Sequence, residues 1–170
     1  DVDSATLGNV GGDFSAQGVN ELRCRQVGGD AALHNNGSAQ LGDIGGDCAI
    51  NEIRGDTQLG SIGGDCAANN IQGALSMGSI GGDCALNHIG GELRLGSVGG
   101  DAHIDAEGSS VRLGNIGGDL QLRADFPPDS TTGATVGGDA SIELPRDANL
   151  TLRATVGGDI HGERLGASDG

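Results

Sequence analysis

The residues of this sequence that are suited to chemistry are carboxylates at a regular spacing. The tripeptide Gly-Gly-Asp occurs nine times in 170 residues, at intervals of 17 to 20 positions. Its acidic members are Asp13, Asp30, Asp47, Asp65, Asp83, Asp101, Asp119, Asp139 and Asp159. If these residues stack about 5 Å apart, unpaired carboxylates repel one another, so each charge needs a partner.

Two kinds of partner fit this column of acids. Each Asp side chain can accept a hydrogen bond from a backbone N–H of the turn, as in an Asx-turn. Alternatively, calcium can lie between turns, as in nonapeptide β-rolls with the pattern Gly-Gly-x-Gly-x-Asp-x-apolar-x. In this sequence Asp directly follows Gly-Gly, and the later Gly and spaced Asp of that pattern are missing. Turn capping is the favoured interpretation, and calcium held by the nine Asp residues is the alternative.

The four cysteines are a second candidate group. Cys48, Cys66 and Cys84 each directly follow a Gly-Gly-Asp, whereas Cys24 falls at a different position of the repeat, on the opposite strand. Three thiols in one column cannot all pair, and no His or second Cys stands at C-x-x-C spacing. We expect small buried thiols that fill a narrow core, with no cofactor.

The four histidines lack the grouping that catalysis requires. They are scattered along the chain and repeat no Ser/His/Asp or Cys/His arrangement, so we expect them to be exposed: His34, His88, His103 and His161. The sequence therefore predicts no catalytic residues.

The strands and turns that position these residues follow the same repeat as the Gly-Gly-Asp tripeptide. Three residues before each Asp stands a β-branched residue, and these form a core column: Val10, Val27, Ile44, Ile62, Ile80, Val98, Ile116, Val136 and Val156. The residues one and three after the Asp are mostly apolar, which is the period of a strand. A nine-residue pattern starting at Ile80 is repeated from Ile89, so each coil contains two turns and two short strands.

These patterns predict an all-β, single-domain β-solenoid over residues 1–170. It has about nine coils of 17–20 residues, with two parallel sheets facing each other. Its corners are 11–13, 28–30, 45–47, 63–65, 81–83, 99–101, 117–119, 137–139 and 157–159. Glycine at the corners is expected to provide positive φ and close backbone approach. Pro127, Pro128 and Pro145 are expected in longer corner loops late in the chain.

Composition excludes several classes of protein. With 35 Gly, two Phe, no Tyr, no Trp and a net charge of -15, the chain lacks the basic patch and stacking aromatics of a nucleic-acid binder. No apolar run approaches the roughly 20 residues of a membrane span. Minimal loops and few aromatics also disfavour a polysaccharide lyase, and mimicry of DNA by an acidic rod is a minor alternative.

Two surfaces are candidates for contact with partners. Four small residues point outward on successive coils and form a candidate packing face: Ala32, Ala49, Ala67 and Ala85. The ends are the other candidate, because a solenoid exposes an unpaired strand edge at each terminus. The pattern begins near Leu7, and residues 1–5 and 167–170 are short and polar for a cap. We expect either a longer protein or ends that stack on other copies.

The stretch from Val136 to Asp159 resembles a bacterial adhesin-type β-strand-repeat family, a domain of unknown function. In it Val-Gly-Gly-Asp leads into a strand, a Pro-containing turn and a second strand that reaches the next Gly-Gly-Asp. The resemblance covers nearly the whole chain. It implies a β-solenoid and surface exposure, and it provides no catalytic residues. Bactofilins, which are polymerising solenoids, are a weaker analogy through coil size and open ends.

Together these observations predict a non-enzymatic structural protein. The expected function is a solenoid subunit that assembles end to end with itself into a filament, or that forms a cell-surface stalk or adhesin. The alternative is a calcium-dependent binding or adhesion module that uses the Asp column. The expected location is extracellular or at the cell surface, without membrane insertion and with a surface ligand as a further partner.

Overall fold

Every regular element in the described part of the chain is a β-strand. The computed structural model describes residues 2–107, 110–125, 130–144 and 150–164. The strands are β1 (Val2–Val10), β2 (Phe14–Gln17), β3 (Val19–Val27), β4 (Ala31–Asn36), β5 (Ser38–Ile44), β6 (Cys48–Ile53), β7 (Thr57–Leu59), β8 (Cys66–Ile71), β9 (Leu75–Met77), β10 (Cys84–Ile89), β11 (Leu93–Leu95), β12 (Ala102–Glu107), β13 (Val111–Leu113), β14 (Asn115–Ile116), β15 (Leu120–Asp125), β16 (Ser130–Val136), β17 (Ala140–Leu144), β18 (Leu150–Val156) and β19 (Ile160–Arg164).

These strands stack as a parallel β-solenoid, which confirms the predicted fold class. One sheet contains nine strands in the order β19-β17-β15-β12-β10-β8-β6-β4-β2, and a second contains seven in the order β1-β3-β5-β7-β9-β11-β13. Each strand pairs with its equivalent one coil away, as Cys48 does with Cys66 and Cys66 with Cys84. The nine corners enclose about eight turns.

A third column of backbone pairing was not predicted. Single parallel bridges join the β-branched corner residues from Ile44 to Ile116, and β14, β16 and β18 continue this column as a three-stranded sheet. The coil therefore has a third side, next to the corner, where two sides were expected. The β-branched residue forms this side because its backbone pairs while its side chain faces the core.

The first strand begins earlier than expected. Residues 2–5 belong to β1, which pairs with β3 from Val2 to Val10. The expectation that the pattern starts near Leu7 was wrong, because polar side chains on an outer strand do not prevent its backbone from pairing with the next coil.

The strand after each early corner bends at a residue with positive φ. In five successive coils this bend is the fifth residue after the corner Asp: Gly18, Asn35, Glu52, Asn70 and His88, with φ between 51° and 69°. The bend turns two successive side chains outward before the next inward one, as the burial of β4, β6 and β8 shows.

The cross-section of the coil changes in the second half of the chain. Between β10 and β12 the register shifts, so that Ile89 pairs with Ala106. From β12 onward the side chains alternate strictly between inside and outside, and Ala106 is buried where earlier coils bend. Pro127, Pro128 and Pro145, expected in corner loops, lie outside the described residues.

The core is a narrow column of aliphatic and thiol side chains. The predicted β-branched column is buried from Val27 to Val136, and its end members Val10 and Val156 are half-buried. Buried polar residues in the described part are Asn36, Thr57 and Thr132. The Asn36 side chain is well satisfied, since Oδ1 accepts from Val19 N–H at 2.9 Å and Nδ2 donates to the Ala16 carbonyl at 3.2 Å.

Candidate functional site

The nine corner Asp residues form one continuous column along the solenoid. From Asp13 to Asp139, Oδ1 of each corner Asp accepts a hydrogen bond from the backbone N–H of the corner Asp one coil later. All eight bonds are between 2.8 and 3.0 Å long. The carboxylate therefore meets a turn N–H, as turn capping requires, but the N–H belongs to the next coil. Each of these eight side chains joins two coils.

Two further acids make the same kind of bond at two other positions of the coil, and sequence reasoning missed them. Asp43 Oδ1 accepts from Ser61 N–H, and Asp56 Oδ1 accepts from Ala74 N–H, both at 2.9 Å. The signal was the Gly-Asp dipeptide, since Asp43 and Asp56 each directly follow a glycine.

The calcium alternative has to use what this arrangement leaves. One oxygen of each corner carboxylate, from Asp13 to Asp139, already has a backbone donor. Within the described ranges, no group of three or more His, Cys, Asp or Glu side chains is placed to hold a metal ion. A calcium ion would therefore need the second carboxylate oxygens together with groups from outside the column.

Both corner glycines are required by the close approach of neighbouring coils. In the eight later corners, a Cβ on the first glycine would lie within 3.0 Å of the equivalent glycine's carbonyl oxygen one coil earlier. A Cβ on the second glycine would meet the Oδ1 atom of the preceding corner Asp equally closely. None of these glycines has positive φ, so the expectation of positive φ at the corners was wrong; in this region the residues with positive φ lie in the strand bend instead.

The first corner differs from all the others in one respect. A Cβ on Gly11 or Gly12 would meet nothing within 4 Å. The sequence is the same as at later corners, but the coil whose backbone demands glycine is absent on that side. Within the described residues, the first corner therefore has no steric contact that requires glycine.

The two end coils also leave apolar side chains accessible. Val2 on β1 is 53% exposed and Ile160 on β19 is 59% exposed, and they are the large hydrophobic residues exposed among those described. The residues equivalent to Ile160 in interior coils are almost fully buried, for example Leu120 at 2%. Exposure here results from the missing neighbour, not from an outward direction of the side chain.

The cysteines lie where the sequence placed them. Cys48, Cys66 and Cys84 are in register on one sheet, Cys24 lies on the seven-stranded sheet, and all four are free and buried. A hydrogen bond with the Cys66 thiol, together with burial, raises the pKa of Cys48, and burial raises the pKa of Cys84. The Cys48 and Cys84 thiols therefore stay protonated at neutral pH, and all four buried cysteines pack as small apolar groups.

The four outward alanines are adjacent in register on coils two to five. Ala32, Ala49 and Ala67 are exposed, and Ala85 is half-buried. They form a smooth strip beside the Asp column. A groove partly lined by this strip runs along the corner from Asp13 to Asp47.

The histidines remain apart, and His34, His88 and His103 have local polar partners. His103 Nδ1 lies 2.6 Å from Gln121 Oε1, and His34 Nδ1 lies 3.3 Å from Asn51 Nδ2. His34 and His88 also approach Glu52 and Glu107 at 3.9 and 4.0 Å, between side chains that are about half or more exposed. Such exposed pairs contribute little to stability.

A groove of about 520 Å³ opens where the cross-section changes. It is lined mainly by acids around one cation: Asp105, Glu107, Asp125, Glu143 and Arg123. Arg123 lies in register between Asp105 and Glu143. Sequence reasoning missed this groove because it depends on the loss of the strand bend.

No helix in the described residues is long and apolar enough to cross a membrane. Comparison with family models, with curated proteins and with solved structures gave no match for this chain. The function is therefore inferred from the geometry of the coils and their ends.

Proposed function

We propose that this protein is a non-enzymatic structural β-solenoid whose end coil is completed by a further coil. A second copy supplies that coil in a filament, and a neighbouring stretch of repeat supplies it in a cell-surface stalk. The observation that carries the proposal is the first corner, where Gly11 and Gly12 keep the residue type that only a stacked coil requires. The resemblance to adhesin-type repeats favours an extracellular or cell-surface location.

The coils are held together by backbone pairing and by burial of their inward side chains. Within the chain, each corner adds backbone hydrogen bonds and one Asp-to-backbone bond to the next coil, and each coil buries its inward side chains against the next. An end coil has the same groups without that neighbour, so stacking satisfies polar groups and buries apolar side chains at both ends, Val2 at one and Ile160 at the other. Pairing of exposed strand edges is a common route of protein association.

Electron microscopy and sedimentation of the pure protein over a range of concentrations test this function. We expect polymers whose length grows with concentration and whose diffraction has the strand spacing of about 4.8 Å along the axis. A rod of one fixed length at every concentration would exclude self-assembly of this chain. The stalk version would then be tested by imaging the native assembly at the cell surface.

Calcium titration, with chelator as the control, tests the competing function. We expect calcium to leave the melting temperature unchanged, because backbone N–H groups already donate to Oδ1 along the Asp column. A calcium-dependent rise in melting temperature, by mass action, would support the binding module instead.

A further inference from the structure

We infer that two copies of this chain meet head to tail in one register, with the corner at Asp13 of one copy seated on the corner at Asp159 of the other. This inference rests on the proposed self-assembly and specifies the contact that performs it. It assigns a partner, a polarity and a set of atom pairs to the two end coils.

The polarity follows from the direction of the hydrogen bonds at each corner. Gly29 N–H donates to the Gly12 carbonyl at 3.1 Å, and Asp30 N–H donates to Asp13 Oδ1 at 3.0 Å. These corner donors point towards the preceding coil and the corner acceptors towards the following one. The two ends of the rod are therefore different and complementary, which requires a heterologous contact that repeats without closing.

The same geometry defines the pairs at the joint. Continuing the repeat across the joint, Gly12 N–H donates to the Gly158 carbonyl of the second copy, and Asp13 N–H donates to its Asp159 Oδ1. In the reverse direction, Phe14 N–H donates to the Asp30 carbonyl at 2.8 Å within the chain. By the same rule, Ile160 N–H of the second copy donates to the Asp13 carbonyl. The joint thus repeats the bonds of an ordinary corner.

Side-chain sizes at the two ends are matched for this register. Phe14 is the bulkiest residue of its inward column, and it is only partly buried in β2. Ile160 occupies the equivalent position on β19, and two residues later Gly162 stands where most coils have an apolar side chain. A Cβ on Gly162 would meet nothing within 4 Å. The Phe14 ring packs over Ile160 into the space beside Gly162, which extends the core through the joint.

The stacking of unlike coils already occurs within the chain. The first coil is bent and the last has straight strands, so the two cross-sections differ. Between the coil of β10 and the coil of β12 a bent coil meets a straight one, yet Val98 pairs with Ile116 and Gly117 N–H donates to the Val98 carbonyl at 2.8 Å. The corner thus keeps its register through such a change, and the joint continues this internal interface.

Disulfide trapping tests the register with two full-length proteins, Ser15→Cys and His161→Cys, mixed at equal concentration. In the inferred register these exposed positions face each other across adjacent strands, at a Cα separation of about 5 Å that a disulfide tolerates. Diamide is the oxidant and takes up the two electrons and two protons released as the S–S bond forms. The four native cysteines are each at most 4% exposed, so their thiols do not react with diamide in the folded state.

The matched control is Gln17→Cys mixed with His161→Cys, which shifts the pair by two residues to about 8 Å and beyond disulfide reach. We expect at least about tenfold more cross-linked dimer from the first mixture than from the control, and none from Ser15→Cys alone. Equal or stronger cross-linking of the shifted pair, or self-linking of Ser15→Cys, overturns the register or the polarity. If microscopy shows filaments without the expected cross-link, the register is wrong and the proposed function stands. If neither polymers nor cross-links form, both the register and the self-assembly of this chain are wrong.

Discussion

At the scale of single residues, the corner Asp acts as a backbone acceptor that reaches one coil ahead. This hydrogen bond explains how carboxylates that would otherwise repel one another can stack along the solenoid. The sequence made capping the favoured interpretation because Asp directly follows Gly-Gly. It could not show that the donor belongs to the next coil, since that depends on the rise between coils.

Substitution at Asp83 separates capping from charge. Asp83 Oδ1 accepts from Asp101 N–H at 2.9 Å. Asp83→Ala removes this acceptor, and we expect it to lower the free energy of unfolding by about 1–2 kcal/mol. Asp83→Asn keeps an oxygen acceptor and is expected to change stability by less than about 0.5 kcal/mol. Denaturant unfolding measures both, and equal losses for the two variants would show that the negative charge itself is needed.

Two buried threonines form a natural pair for a stability test. Thr57 Oγ1 is buried without a hydrogen-bond partner in the described structure, whereas Thr132 Oγ1 donates to the Val111 carbonyl at 2.6 Å. Thr57→Val is therefore expected to stabilise the protein by about 1 kcal/mol, and Thr132→Val to destabilise it by a similar amount. Thermal unfolding of the two variants gives opposite shifts, and shifts of the same sign would contradict this assignment.

The thiol column predicts loss of stability at alkaline pH. The folded pKa values of Cys48 and Cys84 lie above the ordinary 9.0, so stability is full below pH 9 and is lost as pH rises above it. Each thiol contributes a slope of about 1.4 kcal/mol per pH unit in that range. Because the chain has no Lys and no Tyr, few other groups titrate there. Unfolding of wild type and of a Cys48→Ala/Cys84→Ala variant between pH 8 and 11 measures the difference, and identical slopes would contradict it.

At the scale of elements, the strand bend is the part of the coil that sequence reasoning did not find. Gly18, Asn35 and Asn70 are residues that tolerate positive φ, and their common position was a usable signal. Glu52 and His88 occupy the same place and obscured it. By contrast, corners and inward columns were predictable because every coil repeats the same residue types there.

Substitution of a bend residue by glycine tests whether the positive φ of the bend strains the backbone. Glu52 has a φ of 60°, which costs free energy for a residue with a Cβ. Glu52→Gly is expected to raise the free energy of unfolding by about 0.5–1 kcal/mol, while Ala106→Gly in the straight coil is expected to lower it. Calorimetry of the two variants checks this contrast. Destabilisation by Glu52→Gly would mean that its side-chain contacts outweigh the backbone strain.

At the scale of the whole molecule, the protein is a solenoid in which the same backbone pairing joins every coil to the next. The interior was largely predictable, because period and residue type determine a parallel solenoid. The change in cross-section was not, because the register shift at β12 occurs in a corner interval of ordinary length. The proposed assembly depends on the first corner, where a Cβ on Gly11 or Gly12 would meet nothing within 4 Å.

The most direct test of end-to-end assembly is the extent of polymer formed by Gly12→Val, measured by sedimentation beside wild type. A side chain at Gly12 meets nothing within the chain but would meet the Asp159 carboxylate of a stacked copy, so we expect wild-type melting behaviour with loss of polymers. The matched change Gly46→Val, at an interior corner, is expected to destabilise the fold itself by about 3–5 kcal/mol. Wild-type polymers that persist in folded Gly12→Val protein would contradict the account.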